Sequence, residues 1–111
     1  MVTKQIVWVG SSLADTQTFP QIARSRAGYQ LRRVQQGLRP NDWKPMPGIG
    51  AGVFEIRIHT GRQHRVFCIA KFAEAIYVLH AFEKKTQKTT SADLATARNR
   101  LAHVLRNRRQ G

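Results

Sequence analysis

Three strand patterns follow one another between Val53 and Phe82, and their short connections constrain the fold more than any other feature. Val53 to His59 alternates apolar and polar residues, whereas Arg65 to Ala70 and Ile76 to Phe82 are apolar on both faces. Alternation is typical of a strand with one covered face, and continuous apolar runs are typical of strands covered on both faces. Because the connections are too short for crossovers, we predict an antiparallel meander.

Further elements flank the meander. Lys4 to Val9 predicts a first strand, and Ser12 to Gln36 predicts a helical pair or a bent helix. Thr90 or Ser91 can cap a last helix. Arg39 to Gly52 contains three prolines and three glycines, which predicts a loop. The predicted order is β-α-α-β-β-β-α, an α+β domain whose helices pack on one sheet.

The composition limits the partners of the chain. Its 111 residues suit a single domain, residues 1–111, and a formal charge of +13 favours polyanionic partners. Cys68 is the single cysteine, and the histidines have no metal-site spacing, so we expect neither a metal nor a cofactor. Without a signal peptide or an apolar run of about 18 residues, we expect a cytoplasmic protein that does not enter the membrane.

Two arginines on the hairpin form a candidate anion site. Arg57 faces away from the apolar stripe of its strand, and Arg65 opens the neighbouring strand across a tight turn. Both guanidinium groups can therefore converge on one phosphate. The alternatives are a solvated strand face or ion pairs with Glu55 and Glu83.

Lysines and a histidine extend this candidate site. Lys84 and Lys85 follow the last strand, and His80 lies within it. RNA can be cut without metal when its 2′-hydroxyl attacks the adjacent phosphate, which requires proton transfer and cations around the phosphate. Histidine suits the first role, and arginine or lysine suits the second. Because His80 alternates with Val78 and Phe82, a buried structural role is the alternative.

Several segments carry a family resemblance, and the run HAFEKKTQKT from His80 to Thr89 is the most specific of them. The others are Asp42–Met46 with Gly48 and Gly50, Val53–Arg57 and His64–Val66. Together they resemble the phage-derived HigB-like toxins of the RelE/ParE superfamily of bacterial toxin–antitoxin systems. The resemblance implies a RelE-like (microbial RNase-like) fold, with helices on a twisted antiparallel sheet.

The resemblance also implies an activity and partners. The activity is metal-independent cleavage of messenger RNA in the translating ribosome, which inhibits translation. The partners are the ribosome with its mRNA and a cognate antitoxin, HigA-like and commonly with a helix-turn-helix domain. By position in the family, catalytic roles are implied for Arg57, Arg65, His80 and Lys84, with Lys85 as the alternative to Lys84. RNA-binding roles are predicted for Lys85, Lys88, Arg62 and Lys44. His59 and His64 are weaker candidates.

Two departures from the family leave alternatives open. Thr86 to Thr90 replace a segment in which RelE has a tyrosine, and Glu55 replaces a basic residue. ParE-like relatives inhibit DNA gyrase by binding, so a non-enzymatic toxin is the main alternative, and a plain nucleic-acid-binding protein is a third. The nuclease hypothesis predicts that Arg65→Ala abolishes toxicity and leaves folding intact.

Overall fold

The computed structural model describes residues 3–110, which form five strands and three helices. The strands are β1 (Gln5–Trp8), β2 (Trp43–Pro45), β3 (Val53–His59), β4 (Gln63–Ile69) and β5 (Ala75–Glu83). The helices are α1 (Ser12–Gln17), α2 (Gln21–Gln35) and α3 (Ser91–Gln110). The α+β class is confirmed. No helix in residues 3–110 is long and apolar enough to cross a membrane.

The strands form one mixed sheet in the order β1-β5-β4-β3-β2. The meander β3-β4-β5 is antiparallel as predicted, but β1 pairs in parallel with β5. The prediction of a wholly antiparallel sheet is therefore wrong. So is the element order, because β2 lies inside the predicted loop. Pro45 obscured this strand in the sequence, yet proline is tolerated there because β2 is an edge strand.

Helices cover both faces of the sheet. On one face, α2 contributes Ala23, Ala27, Leu31 and Val34, which helical spacing predicts as an apolar stripe. Leu38 continues that spacing in the sequence, but it lies beyond the end of the helix and is exposed, so its place in the stripe is wrong. On the opposite face, α3 contributes Ala97, Leu101 and Val104. Full burial of a Val or Leu side chain stabilises a fold by about 1.5–3 kcal/mol relative to its exposure, and the alanines contribute less. Covering both faces explains why β4 and β5 are apolar on both sides.

A β-bulge in β5 changes the direction of the side chains that follow it. Cys68 pairs with Val78, and Phe67 pairs with His80, so Leu79 is the extra residue. Residues that are directly opposite in a ladder share a face, and His80 therefore lies with Phe67 on the α3 side. A regular period of two would place His80 on the same face as Val78. That prediction is wrong, because the extra residue Leu79 moves His80 to the opposite face.

The first turn of α3 is capped as its sequence predicts. The backbone N–H of Asp93 donates to Thr90 Oγ1 at 3.1 Å, and the Thr90 hydroxyl donates to Asp93 Oδ2 at 2.7 Å. A side-chain cap satisfies a helix N–H that has no partner within the helix. This cap also fixes Asp93 beside β5, where its other carboxylate oxygen contacts the candidate site.

Candidate functional site

Arg57 and Arg65 meet on the α3 side of the sheet, near the turn that joins β3 to β4. They are direct cross-strand partners. Their Nε atoms lie 2.9 Å and 3.5 Å from the same oxygen, Glu55 Oε1. The two side chains therefore converge as the hairpin predicts, but on a carboxylate of the protein itself and not on an open phosphate site.

The two arginines differ in how deeply they are buried. Arg65 is 5% exposed and Glu55 is 3% exposed. Burial lowers the pKa of Arg65, and the Glu55 carboxylate opposes that shift. An open anion pocket shared by both guanidinium groups is thus contradicted. The alternative of an ion pair with Glu55 is confirmed.

Arg57 keeps part of its guanidinium group free. Its side chain is 33% exposed, and it uses Nε for Glu55. Within residues 3–110, Nη1 and Nη2 of Arg57 make no hydrogen bond. Glu55 thus orients this guanidinium group and leaves two donor nitrogens for an external anion.

The predicted RNA-binding residues fall into separate places. Lys44 is exposed on β2, directly opposite Glu55, and shares the face of the two arginines. Arg62 lies in the β3–β4 turn, where its Nη1 is 3.7 Å from Glu83 Oε1. The structure therefore brings Lys44 to the arginines and holds Arg62 near Glu83.

The lysine segment follows β5. The backbone N–H of Lys84 donates to Gln63 O at 2.7 Å, which ties the start of the segment to β4. Lys84 is half-buried, whereas Lys85 and Lys88 are exposed. None of the three forms an ion pair with any carboxylate in residues 3–110. Their charges are therefore available to a polyanion.

The two ring nitrogens of His80 have different surroundings. Nε2 lies 2.7 Å from Asp93 Oδ1, and Nδ1 is buried without a hydrogen-bond partner in residues 3–110. The ring stacks on Phe82 with centroids 5.0 Å apart. This geometry joins β5 to the capped end of α3. It favours the structural alternative for His80, and its catalytic role stays a prediction.

His59, a weaker candidate in the sequence, is exposed at the end of β3. Its side chain is 48% exposed, and Nε2 lies 2.7 Å from Asp42 Oδ2. Nδ1 contacts Gln63 Oε1, which also accepts from Arg65 Nη1 at 3.4 Å. The alternation of β3, which places His59 on the face of Arg57, was the signal in the sequence.

His64 is unsuited to exchange protons with a ligand. It is 1% exposed and packs against Phe19 with ring centroids 4.4 Å apart. Burial lowers its pKa, and the Glu83 carboxylate, 3.9 Å from Nε2, partly offsets the shift. The neutral imidazole is therefore the form that this site favours.

Two clefts contain candidate residues. One, of about 480 Å³, lies between α2 and the end of β3 and includes Arg57 and His59. The other, of about 410 Å³, lies at the end of β5 and includes His80, Arg62 and His64. Within residues 3–110, no group of three or more His, Cys, Asp or Glu side chains could hold a metal ion.

The fold and site define a small, strongly basic α+β domain with arginines ordered on one sheet face. The chain belongs to the Gp49-like family of phage-derived proteins (DUF891), whose model matches residues 14–102. No match was found among curated proteins. The family is consistent with a toxin-like protein and agrees with the resemblance drawn from the sequence.

Proposed function

We propose that this protein is the toxin of a type II toxin–antitoxin system and a metal-independent endoribonuclease that cleaves messenger RNA on the translating ribosome. It acts in the cytoplasm, and its sheet belongs to the RelE-like (microbial RNase-like) fold. The proposal depends on the geometry of Arg57: Glu55 orients its guanidinium group, and its two Nη atoms have no hydrogen-bond partner within residues 3–110. The free lysines on β2 and after β5 support it.

Each part of the arrangement suits RNA. A charge of +13 favours docking on ribosomal RNA, with strong salt dependence. A fixed guanidinium group stabilises the charge that develops on a phosphate under attack by a 2′-hydroxyl. The ribosome orients the message, which can replace much of the reactivity that the toxin lacks by itself. Arg65 then acts as a positioning residue, because it holds the carboxylate that holds Arg57.

A cognate antitoxin is the second partner in this proposal. The surface of residues 3–110 presents many cations and few acids, so an antitoxin that neutralises the toxin is expected to present acidic groups to it. A HigA-like protein with a helix-turn-helix domain is the candidate that the family resemblance supports.

Inhibition of DNA gyrase by binding is the second candidate function. It is favoured by the burial of Arg65 beside Glu55 and by the position of His80, whose Nε2 contacts Asp93 and whose Nδ1 is buried away from a ligand. A binding toxin needs only the exposed cations. This alternative shares the toxin class and differs in its target.

Inducible expression with and without the neighbouring gene separates the two functions. The nuclease predicts growth arrest, new transcript 5′ ends at codon-spaced sites, and rescue by the neighbouring gene. Gyrase inhibition predicts the DNA-damage response without new 5′ ends. Growth arrest accompanied only by the damage response would refute the nuclease proposal.

A further inference from the structure

The cleft between α2 and the end of β3 contains groups that the proposed cleavage does not use. We call it the α2–β3 cleft. Its volume is about 480 Å³, and its lining includes Arg26, Tyr29, Gln30, Asn41, Arg57 and His59. Arg57 thus connects this cleft with the arginine pair.

Tyr29 offers an exposed aromatic surface at this cleft. It lies on α2 and is 55% exposed. The buried stripe of the helix lies on its other side, so the core does not account for the ring. Exposed aromatic rings beside cations are platforms on which the bases of single-stranded nucleic acids stack.

Cations and amides line the same cleft as that ring. Arg26 donates from Nη1 to His59 O at 2.6 Å, which fixes its guanidinium group at the end of β3. Gln30 accepts at Oε1 from the Asn41 N–H at 2.8 Å, so the Gln30 amide is ordered and its NH₂ group has no partner in residues 3–110. The Asp42 carboxylate, the acid at this cleft, is hydrogen-bonded to His59.

We infer that the α2–β3 cleft binds one nucleotide of single-stranded RNA next to the phosphate held by Arg57. The base stacks on Tyr29, the backbone phosphate contacts Arg26, and the Gln30 amide meets the edge of the base. This inference rests on the proposed RNA-directed function, for which it names a substrate contact. Ordered cations supply attraction, and the aromatic ring selects unpaired over paired strands.

The test is binding of a short fluorescein-labelled 2′-O-methyl RNA, whose blocked 2′-oxygen prevents cleavage, to the purified full-length chain. Tyr29→Ala is expected to weaken binding about 5- to 150-fold, the loss that removal of one stacked base produces. Tyr29→Phe should restore binding, since it keeps the ring. Ile22→Ala is the matched control, because Ile22 is 62% exposed on the same helix and does not line the cleft.

Salt dependence supplies an independent readout. Arg26→Gln should reduce the slope of log K against log salt by about 0.7, whereas Tyr29→Ala should leave the slope unchanged. If Tyr29 contacted a protein partner and not RNA, the two variants would not differ in this way in RNA binding.

The possible outcomes distinguish failure of the cleft assignment from failure of the proposed function. If wild-type protein binds and cleaves RNA while Tyr29→Ala matches Ile22→Ala, the cleft assignment fails and the proposed function stands. If wild-type protein neither binds RNA nor produces new 5′ ends, both fail. If Tyr29→Ala binds RNA normally and escapes the neighbouring gene product, the cleft belongs to a protein partner and the inference is overturned.

Discussion

Arg57 and Arg65 stand directly opposite each other in the β3–β4 ladder, and both approach Glu55 Oε1, at 2.9 Å and 3.5 Å. Like charges in opposite ladder positions repel, and the carboxylate offsets that repulsion. Because Arg65 is buried and Arg57 is partly exposed, the three residues have different tasks. In the proposed function, Arg65 and Glu55 provide the support, and Arg57 meets the phosphate.

Glu55→Gln should destabilise the protein strongly. The substitution leaves the buried Arg65 charge without a counter-charge, a change that costs about 3–5 kcal/mol. The measurement is the urea midpoint of unfolding. The matched control is Glu74→Gln, which breaks the exposed pair with Arg108 (2.6 Å) and should leave the midpoint nearly unchanged. Equal midpoints for both variants would contradict the support role of Glu55.

Arg65→Ala should also unfold more easily, which revises the expectation that it leaves folding intact. It removes one partner of a buried ion pair, whereas Arg57→Ala removes a partly exposed one. Chemical unfolding of the two variants, measured side by side, should give a clearly lower midpoint for Arg65→Ala. Loss of toxicity in the Arg65→Ala variant would therefore not by itself identify Arg65 as a catalytic residue.

His64 should make folding stability depend on pH. Its pKa is lowered in the folded state by burial, so the unfolded chain binds the proton first. Stability is then fully present above the unfolded pKa of about 6.5 and decreases as the pH falls through and below it. Unfolding midpoints between pH 7.5 and 5 should show this decrease.

The variant His64→Phe isolates this effect. It removes the titrating group and keeps a ring against Phe19, so the decrease should become shallower. His103→Gln, at an exposed position of α3, serves as the control and should retain the wild-type dependence. A His64→Phe profile as steep as wild type would assign the pH dependence to other groups.

His80→Gln distinguishes support from catalysis at the end of β5. Loss of the hydrogen bond to Asp93 and of the stack on Phe82 should lower stability by about 1–2 kcal/mol. If His80 is structural, the folded fraction should still cleave message within about tenfold of wild type, well short of the 100-fold loss expected for a proton-transfer group. A stable variant with no activity would restore the catalytic assignment.

Local patterns predicted much of the fold. The bounds of β3, the buried stripe of α2 and the Thr90 cap follow from alternation, helical spacing and capping chemistry. Each depends on residues close together in the chain. The parallel pairing of β1 with β5 could not be read in this way, because the pairing joins residues about 70 positions apart.

The sequence predicted which residues lie at the candidate site better than it predicted the contacts that those residues make. Arg57 and Arg65 were brought together by hairpin geometry, which a short turn fixes. Their common contact with Glu55 depends on side-chain burial, and the direction of His80 depends on one extra residue in β5. Neither feature leaves a periodic signal. His59 was ranked low because its partners, Asp42 and Gln63, lie on other segments.

The most direct test of the central claim is cleavage of a defined message by purified toxin on programmed ribosomes, followed by primer extension. Wild-type protein should give codon-positioned cuts, and Arg57→Gln should cut about 100-fold more slowly or worse, since it loses a charged donor at the phosphate. Arg32→Gln changes an exposed arginine that lines neither the α2–β3 cleft nor the cleft at the end of β5, and this variant should cut like wild type. Wild-type rates for a folded Arg57→Gln variant, or no cleavage by the wild-type protein, would contradict the account.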